Sequence, residues 1–215
     1  MHGYNQGFNS IRGLINSYAA DMFLIQEHWL TPHNMSRFRS DFPEYYAYGS
    51  SAMERSVEIG PLSGRPFGGT AILVENDLLS VCECICTEER FVKIGDLLCV
   101  NVYLSYNGIP DRDLICQDIL NNTWHWKFVN YACSCVIDSG SVSRSSIADL
   151  ITCVLPDNNF VRCDQAFTPK LCYTYVNESL NYYSKLYYFV ADSIKVVDFE
   201  ILDLDNNFSD HLPIC

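Results

Sequence analysis

The apolar positions of the first twenty residues follow a helical rhythm. Ile11, Leu14, Ile15 and Tyr18 recur at spacings of three and four behind Asn9 and Ser10, both competent caps, so the pattern predicts a helix over 10–19. A short apolar run, Met22 to Gln26, turns polar at Gln26-Glu27-His28, which predicts a strand that delivers side chains to the rim of a sheet. Residues 31–68 hold Pro32, Pro43, Pro61 and Pro66 and end in Gly60, Gly64, Gly68 and Gly69, a composition that predicts long loops. Four strand-like runs follow, at 70–74, 81–86, 91–94 and 97–104, spaced closely enough to imply antiparallel hairpins. Gly95-Asp96 between the last two suits a II′ turn, whose first central position needs positive φ.

The second half alternates helix and strand. Helices are predicted over 111–121, behind Pro110, and around Ile147, Leu150, Ile151 and Val154, capped by Ser145 or Ser146 and stopped before Pro156. Strands are predicted at 131–137, 160–163, 171–175, 186–191 and 196–202. Neither repeats nor a linker divide the chain, so 215 residues read as one domain, 1–215.

Charge narrows the partners. With 26 acidic against 14 basic residues the formal charge is −12, which repels polyanions and demands a local cationic patch or bound cations if the substrate is a nucleic acid. No run reaches the roughly 20 apolar residues of a membrane span and the start carries no signal-peptide pattern, so an intracellular protein, nuclear or cytoplasmic, is expected. The eleven cysteines, an odd number without a secretory leader, read as buried free thiols. Cys82, Cys84 and Cys86 share one face of a strand, but without a CxxC knuckle they are expected to be small core residues rather than zinc ligands.

Three features carry candidate chemistry. Glu27 closes one buried strand, Tyr103 another, and Asp210-His211 follows the polar loop Asp205-Asn206-Asn207-Phe208-Ser209. Phosphodiester hydrolysis needs carboxylates for Mg²⁺, a donor for the phosphoryl oxygens and a group that orients water, and Glu, Asp and His can supply these. Each has a plainer reading: Glu27 as a solvated strand end, His211 as a packing residue, Tyr103 as one of fourteen mostly structural tyrosines. Only their joint occurrence favours a site.

The segments Leu24-Ile25-Gln26-Glu27-His28-Trp29-Leu30, Gly64-Arg65-Pro66-Phe67-Gly68-Gly69, Asn101-Val102-Tyr103-Leu104 and Ser209-Asp210-His211-Leu212-Pro213-Ile214 resemble successive landmarks of the endonuclease/exonuclease/phosphatase superfamily. The branch they most resemble is the endonuclease domain of non-LTR retrotransposons, and the resemblance runs the length of the chain. It implies an α+β fold: a four-layer αββα sandwich of two mainly antiparallel sheets flanked by helices, here with the first and last strands truncated. It implies Mg²⁺, with Mn²⁺ as a possible substitute, held by Glu27 and Asp210. His211 would contact the scissile phosphate, Tyr103 would support it, and Asp138 would stand where the family keeps a water-handling acid. DNA would be the substrate, and a larger reverse-transcriptase polyprotein the context.

The match also breaks. A first strand ending in a metal-site Asn is expected ahead of His2, and the chain starts after it. The family's central Gly-Asp-Phe-Asn motif falls on Ile137-Asp138-Ser139-Gly140, where the Asn becomes Gly140, or Ser139 if the register moves by one, and Asp138 reads better as a turn residue after a strand. Tyr187 occupies the place of the Asp that orients the catalytic His. Catalytic groups act as a unit, so these losses predict impaired turnover. Two function classes follow: an impaired metal-dependent endonuclease, or an inactive relict with weak nucleic-acid or protein binding. A phosphatase for inositol or lipid headgroups fits the Gly-Arg-Pro and Asn-Val-Tyr segments less well.

Overall fold

The computed structural model describes residues 3–62, 64–84, 91–95, 97–103, 129–134, 160–167, 170–171, 173–184, 188–192, 197–204 and 211–215. They fall into two compact units, 1–103 with 206–209, and 104–205 with 210–215.

The first unit is organised around strand β3, Thr70–Glu75, which runs antiparallel between β1, Met22–Gln26, and β2, Tyr45–Ser50. Gln26 and Ser50 both lie opposite Thr70. The period of two divides β3 between two cores. Ala71 and Leu73 face helix α1, Tyr4–Ser17, among Tyr4, Ile11, Ile25, Phe38, Phe42 and Tyr45. Ile72 and Val74 face the other way, against Val92 and Cys99. Burial on both faces is why Thr70-Ala71-Ile72-Leu73-Val74 reads as an unbroken apolar run rather than an alternating one.

Val92 and Cys99 belong to a second antiparallel set, β4 (Cys82–Cys84), β5 (Phe91–Ile94) and β6 (Leu97–Tyr103), in register through Cys82↔Ile94 and Val92↔Cys99. This unit is thus layered helix, sheet, sheet. Two short helices, α2 (Arg37–Asp41) and α3 (Glu54–Ile59), flank β2.

In the second unit β7 (Val129–Ser134), β11 (Tyr188–Asp192) and β8 (Phe160–Arg162) pair antiparallel in that order. Helix α4, Cys163–Ala166, follows β8, and Arg162 forks onto the buried Asp164 through two hydrogen bonds of 2.8 and 3.1 Å. A hairpin of β9 (Tyr175–Asn177) and β10 (Tyr182–Ser184) stands beside it in the chain. Cys163, Ala191, Phe199, Ile201 and Leu212 form the core.

Several expectations change. The first helix begins at Tyr4 rather than residue 10, because Tyr4 and Gly7 extend the buried stripe of Ile11 by whole turns and Gly3, at φ 82°, breaks the chain before it. The 31–68 stretch is not simply loop; β2 was hidden by its short tyrosine-rich run between prolines. The runs at 70–74 and 81–86 do not form a hairpin, since a 3-10 segment over Asn76–Val81 carries the chain from one sheet to the other. Cys84 is exposed, unlike Cys82, which packs on the inter-sheet core. The strand expected at 171–175 starts only at Tyr175, and 197–202 contributes a single bridge, Ile201↔Ile214, in place of a strand. The expected helices at 111–121 and 147–154 and the loop carrying Asp138 lie outside the described residues.

Candidate active-site rim at the end of strand β1

The backbone leaves β1 in an unusual way. Glu27 and Trp29 adopt φ of 59° and 56°, a left-handed conformation that costs L residues about 1–2 kcal/mol each. Hydrogen bonds from two sides hold it. The Glu27 N–H donates to the Gly69 carbonyl at 2.9 Å, and the Trp29 N–H to Gly68 at 2.9 Å. From the other side, Gly3 donates to the Glu27 carbonyl at 3.2 Å and Tyr4 to that of His28 at 2.7 Å. The first N–H groups of α1, which no helical carbonyl can satisfy, are thereby used to anchor the strand end.

His28 explains why a glycine stands at position 69. Its imidazole is fully buried, edge-on to Phe38 at 5.3 Å. Nδ1 accepts the Leu30 N–H at 3.0 Å, so the proton sits on Nε2, which donates to the Ser50 carbonyl at 3.2 Å. A methyl group on Gly69 would lie 2.3 Å from the ring, and Gly69 itself has φ 86°. Burial lowers the His28 pKa to about 4, so the ring is neutral at pH 7. This histidine packs; it does not act as an acid.

Behind the rim, Asn101 of β6 reaches across to the first sheet. Its Nδ2 donates to the carbonyls of Ile25 and Ala71, both at 2.9 Å, and its Oδ1 accepts from Gln26 Nε2 at 2.9 Å. Gln26 and Ile25 immediately precede Glu27, so one buried amide fixes the strand that carries the carboxylate. Arg65 completes the rim, its guanidinium 4.3 Å over the ring of Trp29.

The first two family-like segments are therefore brought together: Gln26 to Leu30 is clasped by Gly68 and Gly69. Tyr103 is the last residue of β6, as expected, in the same unit. In the second unit His211 pairs with Tyr175 as an isolated bridge, their rings 5.1 Å apart, and the Leu212 N–H donates to the buried Thr174 at 2.9 Å. Asp210 and Asp138 lie outside the described residues. His28, Asn101 and Arg65 all lie within the family-like segments, yet nothing in the local pattern gives them a role or says which carbonyls Asn101 meets.

A divalent ion is implied by the resemblance. Among the described residues no group of three or more His, Cys, Asp and Glu side chains stands together to hold one. Glu27, half-buried at a fixed strand end, offers a hard oxygen donor, and Mg²⁺ commonly takes only one or two carboxylates and keeps its waters. That one carboxylate suits such an ion, and Asp210, its expected partner, lies outside the described residues.

No helix among the described residues is long and apolar enough to cross a membrane. No protein-family model matches the chain, and no curated protein does. Solved structures do. A 3′ phosphatase from Neisseria bound to a product DNA hairpin superposes with a TM-score of 0.69 at 12% identity, over 99% of this chain and 94% of that one. An AP endonuclease from Archaeoglobus fulgidus gives 0.67 at 16% identity, again over 99% and 94%. An endonuclease/exonuclease/phosphatase family protein from Bacteroides thetaiotaomicron gives 0.63 at 12% identity, over 99% and 88%. At these identities the likeness is one of fold: mixed helices and antiparallel sheets of the endonuclease/exonuclease/phosphatase type.

Proposed function

We propose that this chain is a metal-dependent phosphodiester hydrolase of the endonuclease/exonuclease/phosphatase type, a retrotransposon-derived DNA endonuclease whose turnover is impaired. The observation that carries the reading is Glu27, held in a left-handed conformation at the end of β1 by Gly68, Gly69 and the start of α1. Strain of this kind persists where a side chain must be aimed. The likeness in fold to nucleases supports the same conclusion, and residues 1–215 are taken as one domain with a four-layer αββα plan.

Glu27 and Asp210 would hold Mg²⁺, or Mn²⁺ in its place. The ion, when bound, neutralises charge on the phosphoryl group and lowers the pKa of a coordinated water. His211 would donate to a phosphate oxygen, gaining protonation from the opposite charge, and Tyr103 would support the same phosphate from the end of β6. Asp138 is assigned to orienting the attacking water. Tyr187, where an acid would orient His211, and Gly140, where an amide would hold water, account for reduced turnover. A reverse transcriptase in the same polyprotein would be the natural partner.

A second reading, a non-catalytic relict that binds DNA or protein weakly, is favoured by the −12 charge together with Tyr187. Nicking of supercoiled plasmid with Mg²⁺ separates the two. Cutting by the native chain that disappears in Glu27→Gln supports the enzyme. Absence of cutting by both, with folded protein, leaves the relict.

A further inference from the structure

We propose that Arg65 is a phosphate-binding residue of this rim, pre-set on the face of Trp29 to grip a DNA strand beside the nucleotide at Glu27; this rests on the DNA reading above.

Three observations carry it. First, Arg65 is an exposed cation with no counter-charge among the described residues. The other stacked arginines have acidic partners: Arg12 bonds Glu44 at 2.7 Å, and Arg37 stands 3.7 Å from Asp41. Arg162 and Lys93 likewise pair with Asp164 and Glu83. Among the described residues no carboxylate pairs with Arg65. In a chain of formal charge −12, an uncompensated guanidinium is where a polyanion can approach at least cost.

Second, the guanidinium is held. It lies 4.3 Å from the centre of the Trp29 ring, a cation–π distance. Stacking uses the flat face of the group and leaves its N–H edges for oxygen acceptors, the fork that phosphates accept. The platform beneath is rigid as well. The Trp29 N–H is bonded to Gly68, and the indole packs so closely on Gly3 that a Cβ there would sit 2.5 Å from it. Fixing the cation before DNA arrives removes part of the ordering cost of binding.

Third, the position is right. Trp29 is two residues beyond Glu27, so their Cα atoms lie within about 7 Å of each other. A group stacked on Trp29 can therefore reach phosphates of nucleotides neighbouring one held at Glu27.

The test is DNA binding by the full chain in EDTA, followed by anisotropy of a labelled duplex between about 50 and 200 mM KCl. Arg65→Ala is expected to bind about tenfold more weakly and to lower the slope of log K against log[KCl] by about 1. Arg65→Lys should keep the slope, because the charge remains, while losing part of the affinity, because the stack and fork are gone. Unchanged affinity and slope in Arg65→Ala overturns the proposal, and a fall in thermal midpoint without a change in slope does so too, by marking the stack as structural only. If the native chain binds no DNA at the lowest salt, the DNA reading itself fails and takes this inference with it.

Discussion

Gln26 donates its Nε2 to Oδ1 of Asn101 at 2.9 Å, joining residues 75 positions apart. Asn101 then spends its own amide nitrogen on two carbonyls, those of Ile25 and Ala71, which lie opposite each other in the β1–β3 pair. A fully buried amide with both ends used is costly to remove, because its partners keep their desolvation and lose their bonds. Asn101→Leu should lower stability by about 2–4 kcal/mol in urea unfolding, and a loss under about 1 kcal/mol would show that the latch is not holding β1.

Gly69 and Gly64 form a matched pair for backbone and packing. Both have positive φ, 86° and 89°, but a Cβ on Gly69 meets His28 at 2.3 Å whereas one on Gly64 meets nothing within 4 Å. Gly64→Ala should cost about 1 kcal/mol, the left-handed conformation alone. Gly69→Ala should cost about 2–4 kcal/mol, since the imidazole must move within a packed core. Equal midpoints for the two variants in thermal melts would disprove the tight packing of His28 on Gly69.

His28 ties stability to pH. Its pKa falls from 6.5 in the unfolded chain to about 4 when folded, so between these values the unfolded state binds the extra proton. The sign follows: stability is complete above pH 6.5 and declines as pH drops toward 4. The part due to His28 between pH 7 and pH 5 is about 2 kcal/mol. It is read as the difference in pH dependence between the native chain and His28→Gln, whose profile should be flatter; parallel profiles would contradict the assignment.

Glu27 should trade stability for function. Glycine takes φ near 59° without the steric penalty of a Cβ, while paying about 0.5–1 kcal/mol in chain entropy. The backbone part of Glu27→Gly is therefore expected to be neutral to about 1 kcal/mol stabilising, although the change also removes the carboxylate with its own contacts and the proposed metal ligand. Denaturant midpoints decide this, and a clear loss of stability would mean that the carboxylate itself holds the loop together.

The thiols should divide by burial. Cys84 and Cys215 are exposed, whereas Cys99 and Cys163 are buried, and burial pushes Cys99 up to about 12 and Cys163 to about 11. Thiolate is the reactive form, so iodoacetamide followed by peptide mass spectrometry should label the first two in native buffer and the second two only in denaturant. Rapid native labelling of Cys99 would place it outside the core.

Much of this was readable from local pattern. Met22–Gln26 and Phe91–Ile94 are strands with the expected limits, because a short apolar run bounded by polar residues or turn glycines has one extended solution. Gly95 has the positive φ its turn requires, and β6 ends at Tyr103. Glu27 was picked out as a polar residue closing an apolar strand. What periodicity could not show was pairing. β3 lies between β1 and β2 rather than pairing with β4, the next strand in the chain, and β2 is a strand because β3 offers it an edge.

The sequence by itself determined which residues are apolar, where strands can start and stop, and that an acid stands at the end of one of them. Tertiary structure decided what surrounds that acid: the left-handed turn, the His28 ring against Gly69, the Asn101 amide and the guanidinium on Trp29. The reason is physical. Helix and strand preferences act over a few residues, whereas a buried hydrogen bond or a ring contact depends on distances between segments tens of residues apart, which only the packed chain fixes.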